Sequence, residues 1–115
     1  MDTSEALDFL RQHHRGVLAT TRSDGRPQLS PVAATVDDRG RVVVSSREPS
    51  YKVRNLRREP YASYCGFTDR FFGDWVQVEG PVEVIALPPF VRQTPHYRRA
   101  LERLAATPVR RLEVG

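Results

Sequence analysis

A closed or nearly closed antiparallel β-barrel with short flanking helices is the fold this sequence predicts. Three observations lead there: six short runs of β-type composition, turn signals between them, and only three stretches with helical spacing. With 115 residues, a single domain spanning 1–115 is the natural expectation. Neither an internal repeat nor a low-complexity segment divides it.

The first element is a helix over residues 3–14, with Thr3 or Ser4 as cap, Glu5 in the first turn and Ala6, Leu7 and Leu10 at helical spacing. Gly16 ends it. Val17 to Thr21 is the first strand. Asp24-Gly25 then signals a hairpin into a second strand, Pro27 to Val36. Pro31 cannot donate to a ladder, so that stretch is an edge, a bulge or a break. A turn at Asp37-Asp38-Arg39-Gly40 leads to the third strand, 41–46, apolar enough to be buried on both faces. Pro49-Ser50 opens a helix to about Arg58, with Val53 and Leu56 as its apolar stripe. Ala62 to Phe67 is the fourth strand, and Trp75 to Ile85 the fifth. The fifth alternates cleanly, with Gly80-Pro81 as the expected bulge. Leu87-Pro88-Pro89 breaks the pattern. Residues 95–106 read as a third helix, with Tyr97, Leu101 and Leu104 on one face, and 109–114 as a final strand.

Composition narrows the function classes. Hydrophobic residues make up 39% and charged residues 28%, which fits a folded chain rather than a disordered one. No apolar run approaches the length needed to span a bilayer. The acidic, polar start is unlike a secretory leader, so the cytoplasm is the expected location and no membrane partner is expected. The net charge of +4 suits an anionic partner. Arginine dominates it, Lys52 being the only lysine, and charge alone lends nucleic acid little support. Cys65 is the single cysteine and reads as a small buried hydrophobe. His13, His14 and His96 have no metal-ligand spacing, and no phosphate loop or dinucleotide fingerprint occurs. Glu79 and Glu83 alternate along one exposed strand face and do not read as a catalytic pair.

The stretch from Ser46 to Glu59, SREPSYKVRNLRRE, is where chemistry concentrates. With Ser50 as cap, Lys52 falls in the first helical turn, where the helix dipole disfavours a cation. A bound anion reverses that sign, because free backbone amides, the Ser50 hydroxyl and the Lys52 ammonium then converge on it. Asn55 shares the face of Lys52, while Val53 and Leu56 occupy another. Two readings stay open at this point: a solvated face and a bound phosphate. Gln28 and Ser30 on one strand, and Ser45 and Ser46 on its neighbour, either face water or hydrogen-bond the edge of a heteroaromatic ring.

Three segments, GVLATTRSDGRPQLSPV, RVVVSSREPSYKVRNLRREPYAS and WVQVEGPVEV, resemble the flavin-binding split β-barrels related to pyridoxamine 5'-phosphate oxidase. Within that superfamily they are most similar to the actinobacterial deazaflavin-dependent enzymes that use coenzyme F-420. The resemblance runs in unbroken order over about residues 5–87, and its most specific parts are GRPQLSPV and KVRNLRREP. It implies a six-stranded antiparallel split β-barrel and a homodimer with the cofactor in a groove between subunits. Lys52, with Ser50 and Asn55, matches the segment that holds the cofactor phosphate. Gln28, Ser30, Pro31 and Val32 match the strand along the ring. Val44, Ser45 and Ser46 match the adjoining strand. Trp75 matches an aromatic near the groove, packing at the interface being its other reading. No residue is assigned a catalytic role, since the hydride belongs to the cofactor. An acidic tail on F-420 suits Arg54, Arg57 and Arg58, which favours an F-420-dependent reductase acting on a small organic molecule. Flavin mononucleotide (FMN) is the alternative cofactor, and a non-catalytic cofactor-binding protein or a basic nucleic-acid binder the alternative function. The stretch after residue 87 is compressed relative to the family pattern.

Overall fold

The computed structural model describes residues 2–46, 50–70, 73–86, 102–106 and 111–114. Helix α1 (Thr3–Gln12) starts one residue earlier than a Thr3 cap allows: Asp2 is the cap, and its side chain accepts from the Glu5 amide at 2.8 Å. Strands β1 (Arg15–Thr21) and β2 (Pro27–Val36) form the expected hairpin. Gly25 supplies the left-handed turn residue at φ 84°, and Asp24 accepts from the Arg26 amide at 3.0 Å. Strand β3 (Val42–Ser46) comes after a second such turn, with Gly40 at φ 75°. There the Asp37 carboxylate accepts from the Arg39 and Arg41 amides and from the Arg41 guanidinium at 2.7 Å.

Helix α2 (Tyr51–Arg58), strand β4 (Tyr61–Phe67) and strand β5 (Trp75–Ala86) lie as the periodicity predicts. The next element does not. Residues 102–106, expected at the end of a helix, form strand β6 (Glu102–Ala106), paired with β3 on one side and β5 on the other. Strand β7 (Arg111–Val114) pairs with residues 76–79 of β5. The remainder of the expected helix, His96 and the proline break at 87–89 lie outside the described residues.

The pairings β1–β2–β3–β6–β5–β4–β1 close a ring of six antiparallel strands, and β7 joins it as a seventh. Among the described residues the sheet therefore has seven strands rather than the expected six: 111–114 form the expected final strand, and 102–106, expected as helix, add one more. Gly80-Pro81 forms no bulge. The register with β4 runs on through Pro81, and β5 then pairs with β6 from Val82.

Alternate residues of β1 to β5 point into the barrel. Leu18, Ala34, Val36, Val42, Val44, Ala62, Tyr64, Val76 and Val78 form the core there, and Ala6 and Leu10 of α1 and Val53 and Leu56 of α2 join them. Helix α1 covers the end where β1 begins: Leu7 reaches Gly40 and Leu10 reaches Gly66. Helix α2 packs near the other end, against β1, β2 and β5. Gly16 is required by close approach, because a Cβ there would meet the Tyr64 hydroxyl and the Cys65 carbonyl.

A candidate anion site beside a seam in the barrel

Strand β2 pairs with β1 from Pro27 to Ala33, but its register with β3 spans only Ala34↔Val44 to Val36↔Val42. Beyond Val44, β3 continues as Ser45 and Ser46 paired with β6 alone. The two strands thus part, and a seam opens between residues 27–33 of β2 and the end of β3. This is the split in the barrel. Among the described residues, β2 has no strand partner on its seam side. Pro31 lies in this stretch, so the proline sits on an edge, where its missing N–H costs no ladder bond. Gln28, Ser30 and Val32 are half-buried and share the face of Ala34 and Val36, whereas Leu29 and Pro31 are exposed on the other face.

Helix α2 begins at this seam. Ser50 caps it as predicted, its hydroxyl accepting from the Val53 amide at 3.3 Å. The same hydroxyl lies 3.2 Å from that of Ser46, which is 8% exposed at the end of β3. The first turn holds no acidic residue. Lys52 is half-buried there and makes no hydrogen bond or ion pair with any described residue. A cation without a counter-charge against the positive end of a helix is unfavourable in isolation, and the adjoining main-chain amides favour an anion. The neighbouring Arg54 lies over the exposed Tyr51 ring, 5.7 Å from its centroid.

The far end of α2 is tied to β1. Asn55 is 6% exposed, and its amide nitrogen donates to the Thr20 hydroxyl at 3.1 Å. Arg58 donates to the Asn55 side-chain oxygen at 3.0 Å and to the Thr21 carbonyl at 2.6 Å. Asn55 is therefore satisfied inside the fold, and Arg58 is engaged with it. Thr20 is a site residue that the sequence reading misses, although its place two residues beyond Leu18 marks it as inward-facing. The pairing of Thr20 with Gln28 puts this cluster beside the seam strand.

The expected site residues thus fall into three groups. Gln28, Ser30 and Val32 lie on the seam strand, Ser46, Ser50 and Lys52 at the end of β3 and the start of α2, and Asn55 further along α2, bonded to β1. Val44 is 2% exposed and its side chain serves the core. Ser45, Pro31 and Trp75 are exposed on outward faces. Trp75 pairs with Phe67 and, with Cys65, Thr68, Asp69, Arg70, Gly73 and Gln77, lines an outward cleft of about 600 Å³. Cys65 lies on that outer face, half-buried rather than in the core, and burial pushes its thiol pKa up. Glu79, on the same side of β5, accepts from the Ser63 hydroxyl at 2.8 Å.

Comparison with known proteins finds the same fold elsewhere. Among solved structures, the conserved hypothetical protein Rv2991 from Mycobacterium tuberculosis superposes with a TM-score of 0.77 at 23% identity, over 99% of this chain and 84% of that one. General Stress Protein 26 from Bacillus anthracis gives 0.73 at 17% identity, over 99% and 94%. An F-420 reductase gives 0.71 at 18% identity, over 92% and 94%. At these identities the likeness is one of fold. The family model described as pyridoxamine 5'-phosphate oxidase matches residues 2–111, nearly the whole chain, and the protein belongs to that family.

Proposed function

We propose that the protein is an oxidoreductase that binds a phosphate-bearing flavin-type cofactor, coenzyme F-420 in the first instance, at the seam beside α2. One observation carries this reading: Lys52 is half-buried in a helical first turn that offers it no carboxylate. The residues suit a phosphate group, since Lys52 falls in the first turn of the helix that Ser50 caps, and the Ser50 hydroxyl lies 3.2 Å from that of Ser46. Lys52 and the first amides of α2 would hold the phosphate. Gln28 and Ser30, alternating along the seam edge, would supply hydrogen bonds to the rim of a flat ring, and Val32 an apolar surface. The bound cofactor would supply hydride transfer to a small organic acceptor. The chain's own part is to hold the ring, keep water from one face and neutralise the phosphate.

The outward face carries Leu29 at 61%, Phe67 at 37% and Trp75 at 36% exposure. We assign this face to a second copy of the chain, so that the groove is completed by the partner subunit and Trp75 serves it from across the interface. Among the described residues no helix is long and apolar enough to cross a membrane, and the cytoplasm is the proposed location.

FMN is the second reading, and a specific observation favours it. Arg58 is committed to Thr21 and Asn55, so an acidic F-420 tail meets fewer available arginines than a count along the sequence implies. Each exposed pairing would add only about 0–1 kcal/mol. The test is native mass spectrometry of the purified protein, followed by fluorescence titration of the apo-protein with F-420 and FMN. A dimer that binds F-420 more tightly is the expected result. Tight binding of FMN alone would transfer the assignment, and binding of neither would overturn it. A bound cofactor that no acceptor in a substrate panel ever reoxidises would point to storage rather than catalysis.

A further inference from the structure

Helix α2 carries the proposed phosphate anchor at its first turn, yet it is the far end of the helix that is bonded to the strand pair carrying Gln28 and Ser30. One guanidinium organises that connection. Arg58 bridges the Thr21 carbonyl and the Asn55 side-chain oxygen, and so fixes which way the buried Asn55 amide faces. Asn55 can then donate to Thr20, the residue directly opposite Gln28, while Thr21 stands opposite Pro27.

We propose that Arg58 is a positioning residue: through Asn55 it sets the placement of the Lys52 turn relative to the Gln28–Ser30 edge, and thereby lets one ligand engage both. This rests on the functional reading above. Arg58 itself touches no ligand. The guanidinium is suited to the task because one planar nitrogen, Nη2, presents two hydrogens in fixed directions and serves both acceptors, which a freely rotating lysine ammonium on a flexible stem does less rigidly. A ligand spanning two subsites gains from their fixed separation, as a linked pair gains over its separate parts.

The full chain is tested as Arg58→Met and Arg58→Lys against wild type, with three probes: FMN, riboflavin, which lacks the phosphate, and inorganic phosphate. Both variants are expected to bind FMN about tenfold more weakly, while riboflavin and phosphate each hold their affinity within about twofold. An equal loss for FMN and riboflavin would show a merely structural role and overturn the proposal. So would a matching loss for inorganic phosphate, which marks direct contact, or full rescue by Arg58→Lys, which marks simple charge. A second measurement needs no cofactor. In the ligand-free protein, the Asn55 side-chain amide resonances should shift and exchange faster with solvent in both variants. Unchanged Asn55 resonances overturn the proposal whatever the flavin result. Perturbed resonances in a chain whose wild type binds neither FMN nor F-420 sustain the placement of Asn55 by Arg58 and sink the functional reading alone.

Discussion

Replacing Lys52 by methionine should change stability and binding in opposite directions. Methionine keeps most of the apolar stem and removes the charge. In the ligand-free chain that charge has no ion-pair partner among the described residues, and α2 has no acid in its first turn. Its removal relieves an unfavourable interaction with the helix dipole worth about 0.3–1 kcal/mol at low ionic strength. For a domain of this size the melting temperature should rise by roughly 1–5 °C. On the proposed assignment a bound cofactor loses a charge-assisted contact, worth about 1.5–3 kcal/mol. That corresponds to a loss of affinity of roughly 10- to 150-fold. Thermal unfolding in phosphate-free, low-salt buffer measures the first effect, and fluorescence titration with FMN and F-420 the second. The gain in melting temperature should shrink at high salt, where the dipole interaction is screened. A variant that melts lower than wild type, or that binds both cofactors unchanged, refutes the reasoning.

The fold sets three further outcomes. Leu56 is 0% exposed and borders an existing void of about 20 Å³ with Leu18, Val44, Tyr64 and Val78, so Leu56→Ala should cost about 3–4 kcal/mol in urea denaturation. The Tyr64 hydroxyl is buried without a hydrogen-bond partner among the described residues, and burial pushes its pKa up to about 12. The unfolded phenol ionises near 10, so stability present below that pH should fall as pH rises toward 12, and Tyr64→Phe should flatten the slope at little cost to stability. The same substitution should partly rescue Gly16→Ala, whose Cβ would meet that hydroxyl. At Asp37, burial raises the carboxyl pKa, but the Arg41 and Arg39 amides and the Arg41 guanidinium outweigh it and leave it below 3.8. Its contribution is in place above about pH 4 and is lost as pH falls through the depressed value. Acid unfolding of Asp37→Asn should therefore differ from wild type near neutrality and converge with it at low pH.

Where local chemistry decides structure, the sequence is legible. Asp24-Gly25 demands a hairpin turn, Ser50 can cap only the helix that begins at Tyr51, and the alternation of Trp75 to Ile85 has no helical reading. The first cap is misplaced in the sequence reading because Asp2, Thr3 and Ser4 are all competent caps and the periodic pattern does not choose between them. Residues 102–106 mislead for a different reason. Glu-Arg-Leu-Ala-Ala is a sequence of strong helix formers, and pairing on both sides, with β3 and β5, overrides that preference. At the proposed site, the Ser50 cap and the place of Lys52 in the first turn are visible because both follow from local sequence. The hold of Asn55 on Thr20 is not visible, since it joins residues 35 positions apart. Arg58 looks like surface charge for the same reason.

The ring is completed by β6, the last of its six strands in chain order, which inserts between β3 and β5. While the ribosome is still making α2, β4 and β5, the open side of β3 has no neighbour and the valines of its inner face lack a lid. Such long-range closure is slow, and an uncovered edge of this kind recruits strands from other chains. Truncation just before residue 102 should therefore yield not a smaller folded protein but one that depends on chaperones and tends to aggregate.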